Sequence, residues 1–286
     1  GKTFADIEAR GGPSIEINAT DLSIGERFTF TQTRFNLLCS DLSNFNVARA
    51  VAASSAVPVA FAPIALQNHS GCDFEEPDWL AEARIRSKDN PRLQGVFESI
   101  DSYLDKENRP FIHLVDGGIT DNLGVRALYD RVELLGGAAS AARLFGQTPQ
   151  LIVVIVVNAQ TSPEHPMDLY SRAPSSGTVV SAVSNAQLGR YNIETIALIE
   201  ESLERWAAEL STPDKAVTPY FIQLDFESIA DERTRHIFNN MATSFSLPNE
   251  EVDDLIEAGH RLLQQSPEYQ DLLARIREAE QMEAER

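Results

Sequence analysis

The sequence predicts a mixed α/β fold, and three observations carry that prediction. Phe111–Val115 is a short apolar stretch of strand composition that ends at Asp116. Residues 125–135 then place apolar side chains at helical spacing, and Gly136 ends that pattern. Leu151–Val157 is an unbroken, mostly β-branched run, which is typical of a strand covered on both faces. Strand, helix and strand in this order predict a βαβ crossover within a parallel sheet.

The residues before this core predict two extended stretches and a helix. Residues 14–19 alternate apolar and polar side chains, as half-buried strands do. Residues 28–38 have the composition of a strand, and residues 47–57 predict a helix of small residues that stops before Pro58. Residues 71–91 are polar and interrupted by prolines, so we expect a surface excursion there.

The second half of the chain predicts a long helix, one more strand and two closing helices. Residues 178–210 keep an approximate helical period, and residues 220–226 have strand composition. The closing helices are expected from about residue 248 and from about residue 267, where Ser-Pro forms a plausible helix start. No internal repeat or linker composition is present, so we expect one domain over residues 1–286.

Composition restricts the classes of partner. The 286 residues carry a formal net charge of −19, from 43 acidic and 24 basic side chains. This balance argues against nucleic acid, because binding to the phosphate backbone needs a face rich in Lys and Arg. The same charge gives no electrostatic attraction to anionic membranes, although an apolar patch could still make transient contact with a lipid surface.

The two cysteines, Cys39 and Cys72, leave two alternatives open. They are either small buried apolar residues or a disulfide, and a disulfide would favour an oxidising compartment and therefore an exported or cell-envelope protein. Neither has a Cys or His at ligand spacing, and the five histidines form no HxxxH pair, so we expect no metal site. No Gly-rich phosphate loop is present, and we expect no cofactor.

The candidate catalytic residue is Asp116, which precedes Gly117 and Gly118. Strand tips in open α/β sheets carry functional groups, and a carboxylate there can act as a general base. The two glycines either support the turn or let a substrate approach closely. Because Asp-Gly is a common turn dipeptide, a purely structural turn stays an alternative. Asp121 and Asn122 are expected to cap the helix that follows.

No serine lies in the sequence context of a nucleophile. Ser54 and Ser55 are outside any G-x-S-x-G pattern, which is the strained turn that exposes the hydroxyl in α/β hydrolases. We therefore expect their hydroxyls to bond to backbone carbonyls of a tightly packed helix.

Three sequence blocks together resemble the patatin-like phospholipases. They are Asn18-Ala19-Thr20-Asp21, the stretch from Ser40 to Pro58, and Asp116-Gly117-Gly118 with Asp121-Asn122. The resemblance extends from Thr3 to about Val157. It implies a three-layer α/β/α sandwich with a mostly parallel central sheet. It also implies hydrolysis of lipid acyl esters by a Ser–Asp dyad whose acidic member is Asp116.

The same resemblance implies features that this sequence lacks. The family needs a G-x-S-x-G elbow and a Gly-rich oxyanion loop N-terminal to the matching blocks, and neither is present. We therefore expect this chain to be the C-terminal portion of a patatin domain, with the serine upstream and no activity alone. The alternative is a catalytically dead relative that serves as an acidic interaction module. Similar bacterial members are often envelope or secreted proteins, which again favours export.

Overall fold

The computed structural model describes residues 1–58, 60–146, 148–162 and 166–284. Its contacts group the chain into two compact units, Gly1–Gly146 and Gln147–Arg286. Both units combine helices with strands, so the predicted mixed α/β class is confirmed. A single domain over the whole chain stays a prediction. None of the helices in the described ranges is both long enough and apolar enough to cross a membrane.

Four strands form the sheet of the first unit. Their bounds are β1 (Asn18–Asp21), β2 (Glu26–Thr29), β3 (Ile64–Gln67) and β4 (Phe111–Val115). The order is β2-β1-β4-β3, and every neighbouring pair is antiparallel. This sheet differs from the predicted mostly parallel one, because the turn over residues 22–25 is so short that β1 and β2 must be antiparallel. Strand β4 has β1 on one edge and β3 on the other, so the next strand of the chain cannot pair with it.

The helices of the first unit surround this sheet. Their bounds are α1 (Phe4–Glu8), α2 (Gln32–Leu37), α3 (Val47–Ser54), α4 (Asp78–Ser87), α5 (Pro91–Leu104), α6 (Gly118–Asp121), α7 (Arg126–Leu134) and α8 (Ala138–Phe145). Helices α3 and α7 lie within the segments predicted to be helical. Helices α1, α5, α6 and α8 have no counterpart among the sequence predictions.

The strand predicted over residues 14–19 begins only at Asn18. Two further predictions for this unit are wrong, and local contacts explain both. The strand predicted over residues 28–38 ends at Thr29. Thr31 then caps α2, since its hydroxyl accepts a hydrogen bond from the backbone N–H of Arg34. The polar stretch over residues 71–91 contains α4, which buries Leu80 and two further residues on one face despite its charged composition.

Aromatic side chains form the centre of the core in the first unit. Phe28 on β2 meets Phe30 and Tyr103 edge to face, with ring centroids 5.2 and 5.9 Å apart. Phe35 packs on Phe45 in the same way at 5.2 Å. Such pairs stabilise a core by about 0.5–1.5 kcal/mol beyond the area that they bury. They fix α2 and α5 against the sheet and so hold the ends of its strands in place.

In the second unit, the described residues contain the strands β5 (Leu151–Asn158) and β6 (Thr218–Asp225), which pair in parallel. Helix α9 (Ser176–Leu210) connects them. The predicted βαβ arrangement therefore exists, but it joins β5 to β6 and does not join β4 to β5. The long helix and the strand predicted for this part of the chain are confirmed.

Strand β5 is covered on one face only, which corrects the prediction that both of its faces are buried. Val154 and Val156 are buried, whereas Val153, Ile155 and Val157 are exposed. The physical reason is that the helices of this unit pack on β6. An unbroken apolar run does not distinguish a strand covered on both faces from one whose second face is open.

Three shorter helices complete the second unit: α10 (Glu232–Asn239), α11 (Asn249–Gln265) and α12 (Pro267–Ala284). The closing helices α11 and α12 begin at the predicted places. Helix α10 was not predicted, although Asp231 caps it by accepting a hydrogen bond from Thr234 N at 2.7 Å. Single 3-10 turns span Pro166–Leu169 and Phe226–Ser228.

Candidate active site around Asp116

Asp116 follows the last residue of β4 and is anchored through its backbone to the end of α3. Its N–H donates to the carbonyl of Ala56 at 3.0 Å, and the N–H of Gly117 donates to the carbonyl of Ser54 at 3.0 Å. The helix of small residues therefore ends directly on the Asp-Gly-Gly turn. Two of the sequence blocks that carry the patatin resemblance meet at this point.

The side chain of Asp116 is half-buried and takes part in few interactions. Its Oδ1 accepts a hydrogen bond from the backbone N–H of Gly118 at 2.7 Å. Burial raises the pKa of this carboxyl above its ordinary value, and the hydrogen bond from Gly118 opposes that shift. Within the described ranges, no cation pairs with this carboxylate and no other group donates to it. A carboxylate of raised basicity with unused acceptor capacity can take a proton.

Close packing against backbone requires glycine at position 117, whereas Gly118 is approached by side chains. A Cβ built on Gly117 would lie 2.3 Å from the carbonyl oxygen of Asn18 on β1. A Cβ on Gly118 would lie 2.8 Å from Oδ1 of Asn122 and 3.0 Å from Oδ1 of Asp116. Gly117 is buried. The close approach to Asn18 is a structural reason for glycine at this position, and the predicted roles of both glycines stay predictions.

Two threonine hydroxyls hold the turn from the side of β1. Thr20 Oγ1 donates to the carbonyl of Asp116 at 2.8 Å. Thr20 Oγ1 also lies 2.9 Å from Thr120 Oγ1. Because a hydroxyl has one proton, Thr120 is the donor in that second bond. Sequence reasoning placed Thr20 in a family block but gave it no role, and Thr120 was missed.

Asp121 has a structural position, and its predicted role as a helix cap is confirmed. Its buried carboxylate accepts hydrogen bonds from the backbone N–H groups of Arg126 at 3.2 Å and Ala127 at 3.0 Å, which begin α7. Arg27 lies 3.6 Å from Asp121 and 2.6 Å from Asp130, so it bridges the two carboxylates. Burial raises the pKa of Asp121, while Arg27 and both backbone donors oppose that shift.

Of the two neighbouring serines, Ser55 behaves as predicted from its sequence context, and the prediction for the Ser54 hydroxyl stays a prediction. Ser55 Oγ donates to the carbonyl of Val51 at 2.5 Å, one helical turn earlier. Ser54 contributes its backbone carbonyl to the Asp116 turn. In the part of the chain that the structure describes, no serine hydroxyl bonds to the Asp116 carboxylate. These residues do not assemble a dyad by themselves.

Three exposed apolar side chains border the turn and form what we call the apolar rim: Val57, Phe61 and Ile119. Their exposed fractions lie between 43% and 50%. Val57 follows Ala56, whose carbonyl binds Asp116, and the N–H of Phe61 donates to the carbonyl of Val57. Ile119 N–H donates to the carbonyl of Asp116 at 3.4 Å. The apolar rim therefore belongs to segments whose backbones form the Asp116 turn or are hydrogen-bonded next to it.

Cys39 and Cys72 are joined in a disulfide with an S–S distance of 2.02 Å. Of the two alternatives that the sequence leaves open for these cysteines, the structure contains the disulfide. Cys39 has a positive φ of 50°, unusual for a residue with a side chain. Across the described ranges, no group of three or more His, Cys, Asp or Glu side chains is arranged to hold a metal ion.

The fold and this site define a mixed α/β protein that presents a half-buried carboxylate at a strand end, beside a helix of small residues. Residues 2–129 match the family described as Patatin-like phospholipase, so this part of the chain is similar to that family. The family is one of lipid acyl hydrolases, and the matched range includes Asp116, Gly117 and Gly118. No curated protein and no solved structure matches the chain.

Proposed function

We propose that Asp116 is the acidic member of a Ser–Asp dyad in a lipid acyl hydrolase of the phospholipase A or esterase type. Its serine partner would come from a G-x-S-x-G segment that the 286 residues do not contain. The serine Oγ attacks the ester carbonyl while Asp116 takes its proton and passes it to the leaving alcohol. Water then attacks the acyl-enzyme, and Asp116 takes a proton from this water and returns it to the serine Oγ. The carboxylic acid then leaves. We expect the first unit to contribute to a three-layer α/β/α sandwich.

The observation that carries this proposal is the state of the Asp116 carboxylate. It stands at the end of β4, its burial raises its pKa, and among the described residues one backbone donor, Gly118 N–H, binds it. By contrast, Asp121 is buried, caps a helix and is bridged by Arg27. A general base needs a raised pKa and a free acceptor position, and Asp116 meets both requirements.

The apolar rim supports a lipid substrate. Val57, Phe61 and Ile119 are exposed on segments that form or adjoin the Asp116 turn along the chain, and they offer an apolar surface to acyl chains. The net charge of −19 opposes electrostatic attachment to anionic lipid. We therefore expect any contact with a membrane surface to be transient and to be made by the rim.

The test compares this chain with the longer protein obtained by extending its reading frame upstream to a G-x-S-x-G segment. Both are assayed on a short-chain p-nitrophenyl ester and on phosphatidylcholine in mixed micelles. We expect no turnover by the 286 residues alone and turnover by the longer protein. Asp116→Asn in the longer protein should lower kcat by about 10²- to 10⁴-fold. The exposed Asp89→Asn is the matched control and should leave kcat unchanged.

Two outcomes would contradict the proposal. One is turnover by the 286 residues alone that a serine-directed inhibitor abolishes. The other is full activity of the longer protein after Asp116→Asn. An upstream reading frame without any G-x-S-x-G segment would favour the second candidate, a catalytically dead relative that acts as an acidic interaction module. The observation that favours this candidate is the missing elbow combined with the net charge of −19.

A further inference from the structure

A cavity of about 380 Å³ lies within the first unit, and Asp116 is not among its lining residues. Its walls come from strand β2 and from five helices, through side chains such as Arg34 on α2, Trp79 on α4, Ile100 on α5, Leu134 on α7 and Phe145 on α8. The volume falls in the range of roughly 300–1,000 Å³ that is usual for small-molecule sites. Most of the lining is apolar, as expected for a site that holds a hydrocarbon chain.

The positive and negative charges of the residues that line the cavity do not sum to zero. Arg27 pairs with Asp130 at 2.6 Å, and Arg131 pairs with Glu16. Arg34 is the third arginine of the lining, and no third carboxylate lines the cavity. The lining therefore carries one net positive charge, and that charge belongs to Arg34.

Arg34 is poorly satisfied by the protein. Its guanidinium donates to Ser99 Oγ at 3.3 Å and lies over the ring of Tyr103 at 5.4 Å. A guanidinium has five N–H donors. Among the described residues, Ser99 provides the one hydrogen-bond acceptor for the guanidinium of Arg34. Burial is the main cause that lowers the pKa of Arg34, and Glu26 opposes that effect without forming an ion pair. A partly buried cation without a paired anion is costly unless a ligand supplies the anion.

We propose that this cavity binds a fatty-acid-type monocarboxylate, with its carboxylate on the guanidinium of Arg34 and its alkyl chain along Trp79 and the neighbouring apolar side chains. The planar guanidinium fork matches a carboxylate with two parallel hydrogen bonds. A single net positive charge balances a monoanion, whereas a phosphate monoester brings about −1.5 to −2. The site is separate from Asp116 and does not depend on the proposed hydrolysis.

The first test measures binding of decanoate, decanol and decyl phosphate to the 286-residue chain by calorimetry. We expect decanoate to bind with one-to-one stoichiometry and roughly tenfold to a hundredfold more tightly than decanol, because a hydrogen bond to a charged partner is formed. Equal affinity for decanoate and decanol, or no binding of either, would overturn the proposal. Much tighter binding of decyl phosphate would assign the site to a phosphate headgroup and overturn the choice of a carboxylate.

The second test uses variants of the same chain. Arg34→Met should abolish the preference for decanoate over decanol, while the exposed Arg261→Met should leave it unchanged. Should Arg34→Met fail to fold, Arg34→Lys is used in its place. This variant keeps the charge without the planar guanidinium and should lower the affinity for decanoate several-fold. Unaltered decanoate affinity in the folded Arg34 variant tested contradicts the proposal.

Fluorescence can locate the ligand. The chain has two tryptophans, and Trp79 lines the cavity whereas Trp206 lies in the second unit. A bromine-labelled decanoate should quench the emission of the wild-type chain, and Trp79→Phe should remove that quenching. Persistent quenching in Trp79→Phe would place the ligand elsewhere and overturn the assignment.

Discussion

Gly117 lies so close to Asn18 that a Cβ built on it would stand 2.3 Å from the Asn18 carbonyl oxygen. This contact brings the Asp-Gly-Gly turn against β1, at the place where Thr20 pairs in register with Val115. The residue beside the candidate base is therefore glycine for a steric reason, and the position of Asp116 depends on that approach.

Gly117→Ala tests this close contact. The obstacle is backbone, which cannot rotate away, so the turn must shift and the free energy of unfolding should fall by about 1–3 kcal/mol. Urea unfolding of the chain measures the change. Gly12→Ala is the matched control, because no heavy atom lies within 4 Å of its new Cβ, and it should be neutral. Equal stability of both variants would mean that the turn tolerates a side chain.

Thr20→Val tests the support of Asp116 from β1. The variant keeps the shape of the side chain but leaves the Asp116 carbonyl without its donor and Thr120 without its acceptor. We expect a loss of about 1–3 kcal/mol in urea unfolding. Thr20→Ser retains the hydroxyl and should recover most of that loss. If the Thr20→Val variant is as stable towards urea as the Thr20→Ser variant, the hydroxyl of residue 20 does not hold the turn.

Asp116→Asn separates the stability of the site from its chemistry. The amide keeps the acceptor for Gly118 N–H and removes a buried charge. Because the pKa of Asp116 is raised in the folded state, the wild-type carboxylate is destabilising above that pKa. As the pH falls through the folded pKa towards the ordinary value near 3.8, folding takes up the proton and this cost disappears.

We therefore expect Asp116→Asn to be more stable than wild type at neutral pH, with a difference that shrinks as the solution is acidified. Urea midpoints measured at a series of pH values test this. A variant that is less stable at neutral pH, or a difference that grows on acidification, would contradict the raised pKa. Asp89→Asn removes the same charge from an exposed side chain and is the matched control, with little expected change in the urea midpoint at neutral pH.

The sequence predicts the elements that set up this site better than it predicts how they pair. Apolar runs and small residues identify β4, α3 and the turn at Asp116, because these depend on local pattern. Sheet direction depends on which edges meet, and no local pattern records that β1 and β3 occupy both edges of β4. The run Leu151–Val157 is a strand, as predicted, but its composition does not report that one of its faces is open.

Contacts between distant residues explain what sequence reasoning missed in the site. Thr20 and Asp116 are 96 positions apart, and their hydrogen bond follows from strand register. The composition around Arg34 predicts a strand, although this residue lies in the first turn of α2 and its side chain lines a cavity. By contrast, the cap formed by Asp121 is a local interaction and was predictable from its position just before α7.

Arg27→Met should strongly destabilise the chain. Arg27 is the cation that bridges Asp121 and Asp130, and the side chain of Asp121 is fully buried. Removing one member of a buried pair leaves an uncompensated charge, at a cost of about 3–5 kcal/mol. Thermal and urea unfolding report the loss, and the double variant Arg27→Met with Asp121→Asn should recover part of it.

The matched control for Arg27 is Arg261→Ala, which breaks an ion pair with Glu257 that is mostly exposed. That change should cost no more than about 0.5 kcal/mol. Similar losses for Arg27→Met and Arg261→Ala would show that the bridge to Asp121 contributes no more than a surface pair.

The disulfide should raise the free energy of unfolding of the first unit substantially. It joins residues 33 positions apart, and closing a loop of that length in the unfolded chain removes entropy equivalent to roughly 3–4 kcal/mol. Reducing agent should therefore lower the urea midpoint of the wild-type chain. The double variant Cys39→Ser with Cys72→Ser should already show the lower midpoint and no response to reductant. A wild-type chain whose midpoint is unchanged by complete reduction, verified by thiol titration, would contradict this contribution.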